Sequence, residues 1–156
     1  MNEQVQSELK KIFNGRFSTS VSTRNNYARG EDTYDPVLSQ AVVFPETNSE
    51  VSKILKLCND HKVPVVPFGT GTSLEGNVVG NDKGITISLE KMNKVLSVNV
   101  EDFDCRVQAC VTKEQLNDYL REDGVFFPID PGANAAIGGM ASTSASGTMA
   151  VKYGTM

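Results

Sequence analysis

Apolar residues along this chain recur at two spacings, and each spacing marks an element. Val5, Leu9, Ile12 and Phe13 fall at helical intervals, predicting an amphipathic helix over residues 3–13 that ends at Asn14-Gly15. The polar stretch Asn25–Pro36 reads as an ordered loop, and Ala41-Val42-Val43-Phe44 as a buried strand stopped by Pro45. Thr47 or Asn48 can cap the next helix, with Glu50 in its first turn and Val51, Ile54, Leu55 and Cys58 as its apolar stripe. Val63–Pro67 is a second strand, so the run is strand, helix, strand, with the helix as the crossover that parallel strands require. Ile85, Ile87 and Leu89 alternate with Thr86 and Ser88, as in a half-buried strand. Val95–Val98 and Cys105–Ala109 continue as strands about a turn at Glu101-Asp102. A helix over Thr112–Glu122 follows, with a capping box from Thr112 to Gln115, an apolar side of Leu116, Tyr119 and Leu120, and a stop at Gly124. The expectation is an α+β fold: a small parallel βαβ sheet beside a second mixed sheet, with flanking helices.

Composition narrows the partners. With 156 residues, 39% hydrophobic and 22% charged, the chain can build a real core and is not of disordered type. A net charge of −4 provides no basic stripe to replace phosphate counterions, which argues against nucleic acid as a partner. The one dense basic run, Lys10-Lys11 with Arg16 nearby, reads as a solvated helix end. Cys58, Cys105 and Cys110 are odd in number and lack a CxxC spacing, so reduced, buried thiols are expected. A single histidine, His61, is too few for a His/Cys metal site, and no metal is expected. No apolar run is long enough to span a membrane, and no signal-peptide core is present, so the expected location is cytoplasmic, or mitochondrial for a eukaryotic full-length form with a presequence.

Two glycine-rich segments carry the chemistry. The first is Pro67-Phe68-Gly69-Thr70-Gly71-Thr72-Ser73-Leu74-Glu75-Gly76, directly after a strand. Alternating glycines permit φ > 0 and turn consecutive N–H groups into one concavity suited to a diphosphate, while Thr70, Thr72 and Ser73 add uncharged donors. A tight hydrated turn is the competing reading. A P-loop is excluded because Asn77 stands where its lysine belongs, and a Rossmann fingerprint because Leu74 occupies the third glycine position and no helix pattern follows. The second segment runs Phe127-Pro128-Ile129-Asp130-Pro131-Gly132-Ala133, then Ile137-Gly138-Gly139-Met140-Ala141 and Ser144-Ala145-Ser146-Gly147, ending in Lys152-Tyr153-Gly154. Small residues here let a helix start against a bulky flat ligand, with its N-terminal N–H groups available. Close packing of a small-residue helix on a sheet is the alternative.

These motifs, in this order, resemble the FAD-binding domain of the vanillyl-alcohol oxidase/p-cresol methylhydroxylase (PCMH) family, and within it the cytochrome-linked D-lactate dehydrogenases and glycolate oxidase flavoprotein subunits. The resemblance covers about Val5 to Met156 and implies a PCMH-type FAD-binding domain, here incomplete, with lobes of roughly 1–68 and 69–156 and no cap domain. It assigns Phe68, Gly69, Thr70, Gly71, Thr72 and Ser73 to the FAD diphosphate, with Gly76 closing the loop. Pro131, Gly132, Ala133, Ile137, Gly138, Gly139 and Ala141 form the second FAD-facing stretch, with Ser144 and Gly147 near the flavin. Relatives that attach FAD covalently use a histidine where this chain has Thr72, so FAD is expected to be non-covalent. Ser144 stands where many relatives carry Asn or Gly. The implied reaction is oxidation of a D-2-hydroxy acid such as D-lactate to the 2-oxo acid, with cytochrome c or a quinone as acceptor. Catalytic histidines and acidic metal-coordinating groups belong to a later region in the family, so no catalytic residue is assigned, and this chain alone is expected to be inactive. Two alternatives stay open: a non-catalytic truncated module or subunit needing a second chain, and a flavin oxidase of the same family with another substrate.

Overall fold

The computed structural model describes residues 3–156, which form two units that divide between Lys91 and Met92. The first unit contains α1 (Glu3–Ile12), β1 (Phe17–Ser18), α2 (Val21–Asn26), β2 (Ala41–Val43), α3 (Asn48–Asp60), β3 (Val65–Phe68) and β4 (Ile85–Ser88). Its sheet has the order β1-β2-β4-β3, with β1 antiparallel to β2 and both β2 and β3 parallel to β4. The expected strand-helix-strand is present, but β4 lies between its two strands. Every residue of β4 is buried, so the alternating Ile85–Ser88 is not half-buried. A strand with parallel neighbours on both sides is covered on both faces. The hidden Thr86 hydroxyl is satisfied by donating to Ser39 Oγ at 2.8 Å, which in turn accepts the Asn81 N–H at 3.1 Å.

Val5, Leu9 and Phe13 meet Ile54 and Cys58 of α3 over Ala41, Val43, Ile85 and Ile87 of the sheet. Three members of the expected stripes fall outside this core: Ile12 and Leu55 are exposed and Val51 is only half-buried, whereas Leu57 packs against it. Thr47 is the α3 cap, its Oγ1 accepting the Glu50 N–H at 3.2 Å. The short β1 and α2 fall in polar sequence without periodicity, which is why neither was expected.

Arg16 is not part of a solvated helix end. Its guanidinium donates to both Glu50 carboxylate oxygens, at 2.8 and 2.6 Å, and to the Phe44 carbonyl at 3.1 Å. The hydrogen bond from Arg16 holds the Glu50 carboxyl down at about 2. A depressed acid stabilises the fold above its ordinary value of 4.5, and that contribution is lost as pH falls towards 2. With both side chains about one-fifth exposed, solvent screening leaves roughly 1–2 kcal/mol. Glu50→Gln should therefore lower the urea midpoint at pH 7, and the gap from the parent should narrow by pH 3. A gap independent of pH would show that the pair does not contribute.

The second unit contains β5 (Val95–Asn99), β6 (Asp104–Val107), α4 (Lys113–Leu120), a 3₁₀ turn at Arg121–Asp123, α5 (Ile137–Ser142) and α6 (Ala150–Tyr153). β5 and β6 form an antiparallel pair with an irregular register between Val95 and Ser97. The mixed sheet is thus the first one, through β1, and the second is wholly antiparallel, within the α+β class expected. Thr112 caps α4 by accepting the Gln115 N–H at 3.2 Å, and Gly124 ends the following turn at φ +71°. Val111, Leu116 and Leu120 make the small core with Val95, Val98, Val107 and Phe127 around it, but Tyr119 is exposed. Cys58 and Cys110 are buried as expected. Cys105 is exposed, because a two-stranded sheet covers one face at most. Among the described residues no helix is long and apolar enough to cross a membrane.

Candidate functional site

β3 delivers the chain at Phe68 to a loop at the C-terminal edge of the parallel strands, where ligand crevices of such sheets form. The Phe68 ring is buried and meets the Tyr27 ring edge-on at 5.0 Å. The loop doubles back over it. Gly71 is buried at φ +75°, and a Cβ there would lie 2.8 Å from Phe68 Cζ. Gly76 has φ +74° and sits against the Tyr34 ring, whereas Gly69 is not left-handed. Among the described residues, the backbone N–H groups of Gly69, Thr70, Gly71, Thr72 and Ser73 donate to no group of the protein. Thr70 and Thr72 hold their hydroxyls 3.3 Å apart, and the Asn77 amide donates to Ser73 Oγ at 3.2 Å. The residue that replaces a P-loop lysine therefore braces the loop instead.

A second piece of chain backs this loop, and sequence reasoning assigned it no role. Glu31 N–H donates to the Gly71 carbonyl at 2.9 Å, and both Val37 and Gly80 donate to the Ala28 carbonyl. A Cβ at Gly30 would lie 2.4 Å from the Gly71 oxygen. The available signal was Gly30-x-Asp32, a glycine and a turn-forming carboxylate inside a polar stretch.

In the second unit the carboxylate of Asp130 accepts from Thr148 Oγ1 at 2.6 Å and from Met149 N–H at 3.0 Å, tying residues 148–149 to the Asp130-Pro131 turn. Those two hydrogen bonds, Thr148's first, lower the Asp130 acid. Gly147 lies so close that a Cβ would come within 2.2 Å of Asp130. Asn134 pins the Pro131–Ala133 turn to α4, accepting from Glu114 N–H at 3.1 Å and donating to its carboxylate at 2.9 Å. Of the first N–H groups of α5, those of Ile137 and Gly138 are already bonded to Val111 and Ala109 carbonyls, and Gly138 is pressed against Ala109. Gly138 and Gly147 are thus explained by packing inside the unit. Gly132 and Gly139 are exposed, and a Cβ on either meets nothing within 4 Å. Ala141 and Ser144 are exposed as well, Ser144 at φ +49°. The nine residues expected to face FAD here therefore divide into those the fold needs and those it leaves open.

The chemical fit to a dinucleotide rests on the first loop. A diphosphate needs several convergent donors without a carboxylate among them, and residues 69–73 offer five unengaged N–H groups and three hydroxyls with no acidic side chain. Gly71 makes the cradle; any side chain there would both strain the backbone and strike Phe68. Among the described residues no cluster of His, Cys, Asp or Glu could hold a metal ion.

Residues 39–156 match the family model described as FAD binding domain. The chain is 44% identical over 155 residues to a probable mitochondrial D-lactate dehydrogenase of Danio rerio, covering 99% of this chain and 31% of that protein. It is 41% identical over 156 residues to a mitochondrial D-lactate dehydrogenase [cytochrome] of Arabidopsis thaliana, covering 99% and 28%. Among solved structures, alkyldihydroxyacetonephosphate synthase shares the fold with a TM-score of 0.90 at 23% identity, over 99% of this chain and 34% of that one. The chain spans about a third of the length of these curated relatives. With the fold it shares with that structure and a family match over three-quarters of its residues, this chain belongs to the FAD-binding domain family.

Proposed function

We propose that residues Phe68–Ser73, closed by Gly76, bind the diphosphate of a non-covalent FAD, in a protein that oxidises a D-2-hydroxy acid such as D-lactate to the 2-oxo acid. The observation that carries the first half is the run of five backbone N–H groups with no partner in the protein. The second half rests on the D-lactate dehydrogenases that resemble this chain over nearly all of its length. Bound FAD supplies the two-electron chemistry. The chain's own residues bind and orient: the loop amides donate hydrogen bonds to the diphosphate, the Thr70 and Thr72 hydroxyls add donors, and Thr72 offers no imidazole for a covalent link. Pro131, Gly132, Ala133, Ile137, Gly139, Ala141 and Ser144 supply a smooth second FAD-facing surface, with Gly138 and Gly147 shaping it from behind. Both units belong to one FAD-binding domain in this reading. The electron acceptor is cytochrome c or a quinone, in keeping with the cytochrome-linked relatives, and the location in a eukaryote is mitochondrial.

Gly139 separates binding from folding. Its surroundings are open, so Gly139→Val should leave the thermal midpoint within about 2 °C of the parent while weakening FAD at least about tenfold in a fluorescence titration. Unchanged FAD affinity would remove this stretch from the site. For the reaction, the protein carrying this sequence should reduce a redox dye with D-lactate and not with L-lactate. Turnover of L-lactate alone, or of neither, would overturn the substrate assignment.

A further inference from the structure

We infer that the segment Gly30–Tyr34, organised by the buried carboxylate of Asp32, is a positioning element that aims the Thr72 N–H at the cofactor diphosphate. This rests on the diphosphate reading of the Phe68–Ser73 loop and adds residues that carry no cofactor contact themselves. In a planar trans peptide the C=O and the following N–H point in opposite directions. The Gly71 carbonyl is held by Glu31 N–H at 2.9 Å, so the Thr72 N–H on the same peptide is turned away from the segment, towards the open side of the loop. Gly30 closes the contact, because its α-carbon abuts both the Gly71 and Ser73 carbonyls, where a methyl would lie 2.4 and 3.1 Å from them.

Asp32 sets the geometry of that segment. One carboxylate oxygen accepts the Gly30 N–H at 3.1 Å and the other the Tyr34 N–H at 3.0 Å. The side chain is 7% exposed and has no ion pair among the described residues. A carboxylate kept in such a place without a cation is expensive to bury, and what it accomplishes is to fix residues 30–34 in the turn that presents Glu31 N–H. Tyr34 then extends the same support to Gly76, its ring lying where a Cβ on that glycine would be 2.8 Å away.

The test compares Asp32→Ala, Asp32→Asn and Gly30→Ala with the parent chain by titration with FAD and with riboflavin, which lacks the diphosphate. The Thr72 amide is followed by ¹⁵N NMR. Loss of one well-aimed donor to a charged group corresponds to about tenfold to a hundredfold in affinity. Asp32→Ala and Gly30→Ala should weaken FAD by that factor, leave riboflavin unchanged and abolish the FAD-induced shift of Thr72. Asp32→Asn, which keeps one acceptor, should fall between. FAD affinity within twofold of the parent in Asp32→Asn and Gly30→Ala, with Gly71→Val still losing FAD, would overturn the positioning role and leave the diphosphate reading intact. If Gly71→Val also kept its FAD, the diphosphate reading itself would fall. Should Asp32→Ala fail to fold, Asp32→Asn and Gly30→Ala decide the matter, because Gly30→Ala leaves the carboxylate in place.

Discussion

Gly71→Val is expected to weaken FAD binding by at least about a hundredfold, the equivalent of roughly 3 kcal/mol. Two costs act together. Valine at φ +75° enters a region that β-branched residues avoid, at roughly 1–3 kcal/mol, and its Cβ would sit 2.8 Å from the buried Phe68 ring. Phe68 cannot yield, because Tyr27 packs edge-on against it and its own backbone is part of β3. The loop must therefore leave its left-handed turn, which redirects the unengaged N–H groups of residues 69–73. Leaving the turn also gives up the Glu31 N–H bond to the Gly71 carbonyl, so the thermal midpoint should fall as well, by roughly 4–8 °C for each kcal/mol lost. Quenching of FAD fluorescence measures the effect. A Gly71→Val chain that binds FAD within twofold of the parent would exclude the loop as the diphosphate site.

The largest loss of stability is expected from Phe13→Ala, about 3–5 kcal/mol. Phe13 is wholly buried and is the largest such side chain among the described residues. It follows the end of α1 and packs in the cluster that joins α1 and α3 to β2 and β4, with the Arg16 guanidinium 5.5 Å from its ring. Removing the ring leaves a void between helices and sheet that rigid strands cannot refill. Against a total stability typically of about 5–15 kcal/mol, a loss of this size would leave an appreciable unfolded fraction at physiological temperature. Flavin retention should fall with it, because the sheet carries Phe68 at the base of the loop. Urea unfolding followed by circular dichroism gives the number. Ile12→Ala, one residue away but exposed, should cost under about 1 kcal/mol. Equal effects at the two positions would contradict the core described above.

How far the sequence could be read depended on whether the deciding forces were local. Helices α1, α3 and α4 were legible because a 3.6-residue apolar period and a Thr cap at Thr47 or Thr112 act within a few residues of chain. The first glycine loop was legible for the same reason: uncharged donors and glycines after a strand admit few other uses, and the lysine and third glycine of rival motifs are missing at Asn77 and Leu74. The family followed from the length and order of those motifs.

Tertiary structure decided what depends on distant neighbours. Ile85–Ser88 alternates like a half-exposed strand, yet every residue of it is buried, because α1 and α3 cover Ile85 and Ile87 while Ser39, 47 positions away from Thr86, meets that residue. Leu55 and Tyr119 carry apolar character but lie on exposed faces, since helix rotation is set by what the sheet offers and not by the helix alone. At Gly138 and Gly147, which the resemblance assigns to FAD, only the positions of Ala109 and Asp130 show that packing inside the unit also leaves no room for a side chain. In the sequence Asp32 is one acid in a polar loop; its role depends on the fold bringing Gly30 and Glu31 against Gly71. By itself the sequence determined which segments could bind a diphosphate, because backbone donors and turn residues are local properties. Folding decided which backbone amides remained available to do so, because a hydrogen bond to a segment forty residues away is invisible until the chain has closed on itself.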